Sequence, residues 1–245
     1  VITPLYSQLS PLKLGGASRI ISPNEISGLQ LWLDANDAST LYDATSGGGL
    51  VSSDGATVAR WADKSGNNKH AIQATANARP ILKTGIKNGK NILRFDGAND
   101  LLTSTLTVSS PMTFVFVAYP IADVAGWRII LSANNTNLIG IGYDTSSRAL
   151  LYTTTGSQAA RTKPTNFELY VGVFNGANSR LIINNNFDNT WATANVTMTS
   201  LHLSTNSIGT FYRNDFAEFL IYNSALSNNN INALKKYLNA KWAIY

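Results

Sequence analysis

The chain is predicted to fold as an all-β protein: an antiparallel two-sheet jelly-roll sandwich with an extended N-terminal arm and one C-terminal amphipathic helix. Three observations predict it. Short apolar or alternating runs recur along the chain, each closed by Gly, Asn, Asp or Ser. Between them no stretch of about 10–15 residues carries a helical stripe, which argues against βαβ units. A 3.6-residue period occupies the C-terminus alone.

The elements follow in order. Residues 1–24 hold Pro4, Pro11 and Pro23, a Gly15-Gly16 pair and no sustained period, so they read as an extended arm leading into a domain over 25–245. Pro4, Tyr6, Pro11 and Pro23 are its expected contacts with a neighbouring protein. Strands are expected at 29–34, 57–62, 91–95, 100–107, 112–119 and 127–132. Further ones are expected at 137–143, 148–153, 167–174, 179–184, 200–204 and 216–222. Trp61 is expected to pin its strand into the core. In FDGAND, Asp96-Gly97 supplies a turn with positive φ, and VGVFNGANSRLIINN reads as two strands around an Asn-Gly turn. In FAEFLIYN a period of two sets Phe216, Glu218, Leu220 and Tyr222 against Ala217, Phe219 and Ile221. That leaves Glu218 in a strand among hydrophobes. The last element is a helix with Ile231, Leu234, Leu238 and Trp242 on one face and Ser227 as N-cap, while Lys235, Lys236 and Lys241 take the other faces.

Composition bounds the function. The 245 residues are 44% hydrophobic, enough for one full core, and only 13% charged, against about 25% in an average globular chain. Solubility therefore rests on Asn, Ser and Thr, a surface suited to sugars or other protein coats and to a setting outside a cell. Cysteine is absent, which removes thiol catalysis and Cys-based zinc sites. No apolar run approaches the roughly 18–20 residues of a membrane span, and the start has no charged region followed by a long apolar one, so neither a membrane nor a leader is expected. The net charge of +5 is dispersed rather than packed into a run, so nucleic acid is not expected as a partner. Between Arg60 and Arg94, however, lie Lys64, Lys69, Arg79, Lys83, Lys87 and Lys90, with Asp63 the only acid before Asp96. This stretch is either a solvated face or an anion-facing patch toward an acidic glycan or an acidic protein shell.

Four segments occur in order: GLQLWLDANDAST, with Trp32 and Asp34; VARWADKSGNNKHAIQAT, with Trp61, Asp63, Ser65, Gly66 and Asn67; NILRFDGANDLL, with Phe95, Asp96, Gly97 and Asp100; and FAEFLIYNSALSNNNINALKKYLNAKW, with Glu218 and Tyr222. In that order, from about residue 28 to the C-terminus, the chain resembles the laminin-G-like branch of the concanavalin A-like lectin/glucanase jelly rolls, of the type found in bacteriophage virion proteins and secreted bacterial surface proteins. The resemblance implies a structural calcium held by Asp34, Asp63, Asn67 and Glu218. Carboxylates, an amide and loop carbonyls suit an ion that takes 6–8 oxygens. The alternative from the residues is that Asp34 and Asp63 cap turns while Glu218 pairs with Arg60 or Arg213 at the sheet edge.

The superfamily includes glycoside hydrolases that resemble one another in an E-x-D-x-E strand. This chain has no such run: its glutamates are Glu25, Glu168 and Glu218. With His70 and His202 its only histidines and no phosphate-binding loop, the chain is expected not to be an enzyme. The leading expectation is a non-catalytic virion protein at the virion surface, a capsid-decoration or tail-fibre component, with other virion proteins and cell-surface glycans as partners. A homo-oligomer, by analogy a trimer, goes with it. A secreted carbohydrate-binding module is the alternative, with Trp191, Tyr212 and Trp127 as sugar platforms and Tyr143 and Tyr152 as further aromatics, and a remote glycoside hydrolase is the third reading.

Overall fold

A computed structural model of the chain describes residues 19–121, 128–133, 139–143, 149–152, 156–159, 164–205 and 210–245. Its strands run β1 Leu29–Asp34, β2 Leu41–Tyr42, β3 Arg60–Trp61, β4 Ala71–Ile72, β5 Ile81–Lys87, β6 Lys90–Asp96, β7 Leu102–Ser104, β8 Val108–Ser109 and β9 Met112–Pro120. They continue with β10 Arg128–Ala133, β11 Ile139–Tyr143, β12 Ala149–Tyr152, β13 Gly156–Ala159, β14 Glu168–Phe174, β15 Ser179–Ile183, β16 Phe187–Trp191, β17 Thr197–Met198, β18 Leu201–Leu203 and β19 Arg213–Tyr222. Helix α1, Asn228–Trp242, closes the chain.

The strands form two antiparallel sheets, as the sequence predicts. One has the order β16-β15-β14-β9-β19-β6-β5, with β1 also on β19; the other runs β13-β12-β11-β10-β18-β7-β4-β3-β2. A short pair, β17-β8, stands apart. Between the sheets lies a core built on Phe95, Phe114, Phe116, Tyr170, Phe216 and Phe219, and Phe116 stacks on Tyr170 with ring centres 4.9 Å apart. The outer face of the first sheet is apolar as well. Val115, Val117, Leu169, Val171 and Leu220 pack there beneath Ile231, Leu234, Leu238 and Trp242 of α1. Strands β9, β14 and β19 are therefore covered on both faces and read as near-continuous apolar runs.

Ser227 caps α1 as expected, accepting a hydrogen bond from the Asn230 amide. Trp61 is fully buried, and Gly97 turns with φ +79°. In β19 the structure departs from the simple alternation. The register shifts between Phe216 and Glu218, so one extra residue, Ala217, bulges against β9. Phe216 thereby joins Phe219 and Ile221 in the inner core, while Ala217, Leu220 and Tyr222 belong to the outer one. Glu218 points to the helix side, where all its partners from α1 sit.

The last residues of the expected arm lie on the domain itself. Ser22 and Glu25 form a capping box around a short 3₁₀ turn, Pro23–Glu25, and the Tyr222 hydroxyl donates to the Pro23 carbonyl at 2.9 Å. Pro23 is buried there. Pro4, Tyr6 and Pro11 lie outside the described residues.

Candidate functional site

The four residues expected to hold calcium do converge. Strands β1 and β19 pair with Asp34 directly opposite Glu218. The loop after β3 is tied to β1 by Asp63, whose Oδ1 accepts from the Trp32 and Ser65 amides (2.9 and 2.8 Å) and whose Oδ2 accepts from Ser65 Oγ and the Lys69 amide. The Asp63 amide donates to His70 Nδ1 at 3.0 Å. Asn67 Nδ2 donates to the Leu29 and Gln30 carbonyls.

The cations facing these carboxylates belong to the chain. Lys241 Nζ lies 2.7 Å from Asp34 Oδ2 and 2.7 Å from Glu218 Oε2, and Lys64 Nζ reaches Asp34 at 3.0 Å and Asp37 at 2.6 Å. Trp242 Nε1 also donates to Glu218 Oε2, while Trp32 Nε1 and the Tyr237 hydroxyl donate to Oε1. Burial, together with the neighbouring Asp34 charge, pushes the Glu218 carboxyl up, and the Lys241 ammonium opposes that. The residues do not fit a calcium ion, because ammonium and indole groups already hold the oxygens it would take. Among the described residues no group of three or more His, Cys, Asp or Glu side chains is arranged to bind a metal. Asp34 and Asp63 do cap turns, but Glu218 pairs with Lys241 rather than with Arg60 or Arg213. This constellation is a clasp that fastens α1 to the sheet.

The aromatic candidates scatter. Trp191 leans on the inner core from β16, Tyr212 and Tyr143 are buried, and Trp127 and the Tyr152 side chain lie outside the described residues. Glu168 is buried at the end of β14, and its Oε2 accepts from the Tyr143 and Tyr170 hydroxyls at 2.9 and 3.0 Å. Burial first, then these neighbours, push the Tyr170 phenol well above its usual range, so the ring stays neutral and serves as a hydrogen-bond donor.

A groove of about 390 Å³ opens elsewhere, where β5, β6 and β19 meet the segment 76–79. Its charged wall comes from Arg79, Arg94, Arg213, Asp96 and Asp100, and Thr57, Ala76, Asn77 and Ile81 complete it. Pairing of β6 with β19 sets Asp96 opposite Arg213 and Arg94 opposite Asp215. Arg94 and Asp96 alternate with the core residues Leu93 and Phe95, which turns them away from the sandwich interior. Arg94 makes a two-pronged ion pair with Asp215, at 2.8 and 2.7 Å. Arg79 is different: its guanidinium donates to the Gln73, Asp43 and Ala74 carbonyls, and no carboxylate among the described residues pairs with it. Its charge is fixed in place outside any ion pair among the described residues.

The acids of the groove share one turn. Asp96 Oδ1 accepts from the Ala98, Asn99 and Asp100 amides, and the Asp96 amide donates to Asp100 Oδ2 at 2.9 Å. Gly97 is required between them, since a Cβ there would stand 2.8 Å from the Arg213 amide nitrogen. Asp100 is only 5% exposed, and burial pushes its carboxyl up to about 6; the Asp96 amide pulls the other way and the Asp96 charge adds to the rise. The groove thus brings together arginine side chains, one acid whose carboxyl is raised to about 6 and the Asn77 amide, groups that can hydrogen-bond a polar ligand. The basic stretch from Arg60 to Arg94 signals part of this site, because it contains Arg79 and Arg94. Nothing in the sequence marks Arg213 as their neighbour, which meets them only through strand register, whereas Asp100 lies in the FDGAND turn directly after β6.

No family model matches the chain, and no curated protein matches it either. Solved structures share its fold. The Trypanosoma rangeli sialidase in complex with 2,3-difluoro-KDN is 14% identical with a TM-score of 0.60, covering 98% of this chain and 36% of that one. The binding domain of botulinum neurotoxin DC in complex with SialylT is 14% identical with a TM-score of 0.56, over 88% of this chain and 52% of the other. A GH54 α-L-arabinofuranosidase soaked with a cyclic sulfate inhibitor is 12% identical with a TM-score of 0.57, over 88% and 60%. The chain therefore spans about a third of the sialidase it matches and 52–60% of the other two. What these likenesses define is the fold, a two-sheet β-sandwich; a virion component is not among these three structures. The expectation that the chain is not an enzyme is corrected here. The same sandwich occurs in sialidases and an arabinofuranosidase, so the lack of an E-x-D-x-E strand excludes one arrangement of carboxylates and not catalysis.

Proposed function

We propose that this chain is a carbohydrate-recognition domain and that the arginine groove receives an acidic sugar. The observation that carries this reading is Arg79, a guanidinium held rigid by three carbonyls, without a carboxylate, in the wall of a groove of monosaccharide size. Arg94 Nη1, which the ion pair with Asp215 leaves unengaged, adds a donor that a sugar carboxylate accepts, Arg213 adds positive charge, and Asn77, Thr57 and Asp96 serve hydroxyls. Fold neighbours caught with a nonulosonic acid analogue and with SialylT support an acidic sugar as the first class to try. The setting we propose is a virion or secreted surface outside a cytoplasm, on the strength of the low charged fraction and the amide-rich composition.

The test is titration calorimetry with N-acetylneuraminic acid and glucuronic acid, and with N-acetylglucosamine as the neutral control. Ala76→Trp fills the groove from an exposed position without removing a hydrogen bond. Saturable binding of the acidic sugars, lost in this variant while its melting temperature is unchanged, is the expected result. Binding that survives the plug, or that favours the neutral sugar, would overturn the assignment. Release of reducing ends from acidic polysaccharides, measured on the same samples, reads out hydrolytic use of the groove.

A further inference from the structure

We propose that the groove binds its acidic sugar together with one proton, and that the Asp100 carboxyl, protonated, is a hydrogen-bond donor to the ligand's carboxylate. The inference rests on the acidic-sugar reading and adds how that site is regulated. Three features of the groove carry it.

First, Asp100 is placed as a wall residue and not as an ion-pair partner. Its Oδ2 accepts one hydrogen bond, from the Asp96 amide, and no arginine of the groove reaches it; Oδ1 has no hydrogen-bond partner among the described residues. Second, the neighbouring groups favour the protonated form. Asp96, in the same turn, adds negative charge, and among the groove's arginines Arg94 is committed to Asp215. Third, the residue is only 5% exposed, so a carboxylate there keeps little of its hydration and gains no ion pair among the described residues. Burial accordingly holds the free carboxyl at about 6.

An incoming carboxylate sharpens this bias. Beside ionised Asp100 it would meet like charge; beside the neutral acid it accepts an O–H···O⁻ bond, among the strongest hydrogen bonds a protein offers. Binding at neutral pH therefore draws one proton from the buffer onto Asp100. The charged groups facing Asp100 are Asp96 on its own turn, Arg79 from the segment before β5, Arg94 on β6 and Arg213 on β19. The arginines keep their charge throughout the working range, and no histidine lines the groove.

The sign follows from the raised carboxyl. Affinity is full where free Asp100 already holds its proton, below about pH 6, and falls toward tenfold per pH unit above it. Between pH 5.5 and 7.5 the expected weakening is about 25-fold, with uptake of about 0.9 proton per ligand at pH 7.

The experiment is calorimetry with N-acetylneuraminic acid at pH 5.5, 6.5 and 7.5, in buffers of differing ionisation enthalpy, on the wild-type chain and on Asp100→Asn. Asn keeps an acceptor for the Asp96 amide and presents a permanent donor. Its affinity is expected to match the wild-type value at pH 5.5 and to stay constant with pH, with no proton uptake. Wild-type binding that is flat within twofold across this range, with no uptake, overturns the proton linkage and leaves the acidic-sugar site standing. Absence of any binding at all three pH values overturns the site and the linkage together.

Discussion

Lys241→Met tests the clasp beneath α1. Lys241 Nζ sits 2.7 Å from both Asp34 and Glu218, whose side chains are 6% and 0% exposed. Removing one partner of a buried ion pair costs about 3–5 kcal/mol, because the other charge stays behind unpaired. Here Glu218 keeps three donors, from Trp32, Tyr237 and Trp242, and Asp34 keeps Lys64, so the lower end applies, about 3 kcal/mol. For a chain of this length that is a fall of roughly 6–12 °C in melting temperature. The loss also depends on pH. Glu218 already stands above its usual range through burial and the Asp34 charge, and without the ammonium it rises further. A carboxyl raised in the folded state holds extra protons there, so stability falls as pH increases through the interval between its unfolded and folded values. The variant should therefore lose more at pH 7.5 than at pH 5, measured by urea unfolding at both. A loss under about 1 kcal/mol at pH 7.5, or equal losses at the two pH values, would refute the reading of the clasp as a compensated buried pair.

Two further variants probe the frame of each constellation. Gly97→Ala forces a side chain onto a residue at φ +79° and against the Arg213 backbone, and is expected to cost about 2 kcal/mol and to weaken acidic-sugar binding by shifting Asp96 from Arg213. Thermal melting and calorimetry check both effects, and an unchanged melting temperature counts against the close approach. Asp63→Ala deprives the Trp32, Ser65 and Lys69 amides and the Ser65 hydroxyl of their acceptor, and is expected to cost about 1–3 kcal/mol and to open the segment 64–70 to limited proteolysis. Calcium that restored the wild-type chain's stability after chelation would show that Asp63 is a metal ligand instead.

What the sequence reveals depends on burial. Strands β9, β14 and β19 and helix α1 are legible because their apolar faces are covered, and cover is what writes a period into a sequence. Strand β5, ILKTGIK, is not legible: it lies at a sheet edge, largely exposed, and carries Lys83, Thr84 and Gly85 where a central strand carries valine or isoleucine. Strand β16 escapes for the same reason. Asp34, Asp63, Asn67 and Glu218 are rightly grouped by their motifs, but the motifs omit Lys241, which lies in a helix and supplies the charge expected of an ion. The place of Arg213 beside Asp96 is invisible for another reason: a groove made by strand register has no local pattern.

Strand β19 is paired along both edges, by β9 on one side and by β6 and then β1, placed end to end, on the other. At the junction of those two the bulged Ala217 is not left open, because the Ala35 amide donates to its carbonyl at 3.0 Å. Its first residues line the groove and Glu218 anchors the clasp, so both depend on one stitched ladder. The amide hydrogens of β19 should accordingly be among the last in the chain to exchange with solvent. Ala217 is the residue that two-for-one pairing leaves over, so deleting it would let Phe216 and Glu218 follow one another opposite Ala118 and Val117 and would keep the groove arginine and the helix anchor on their present faces.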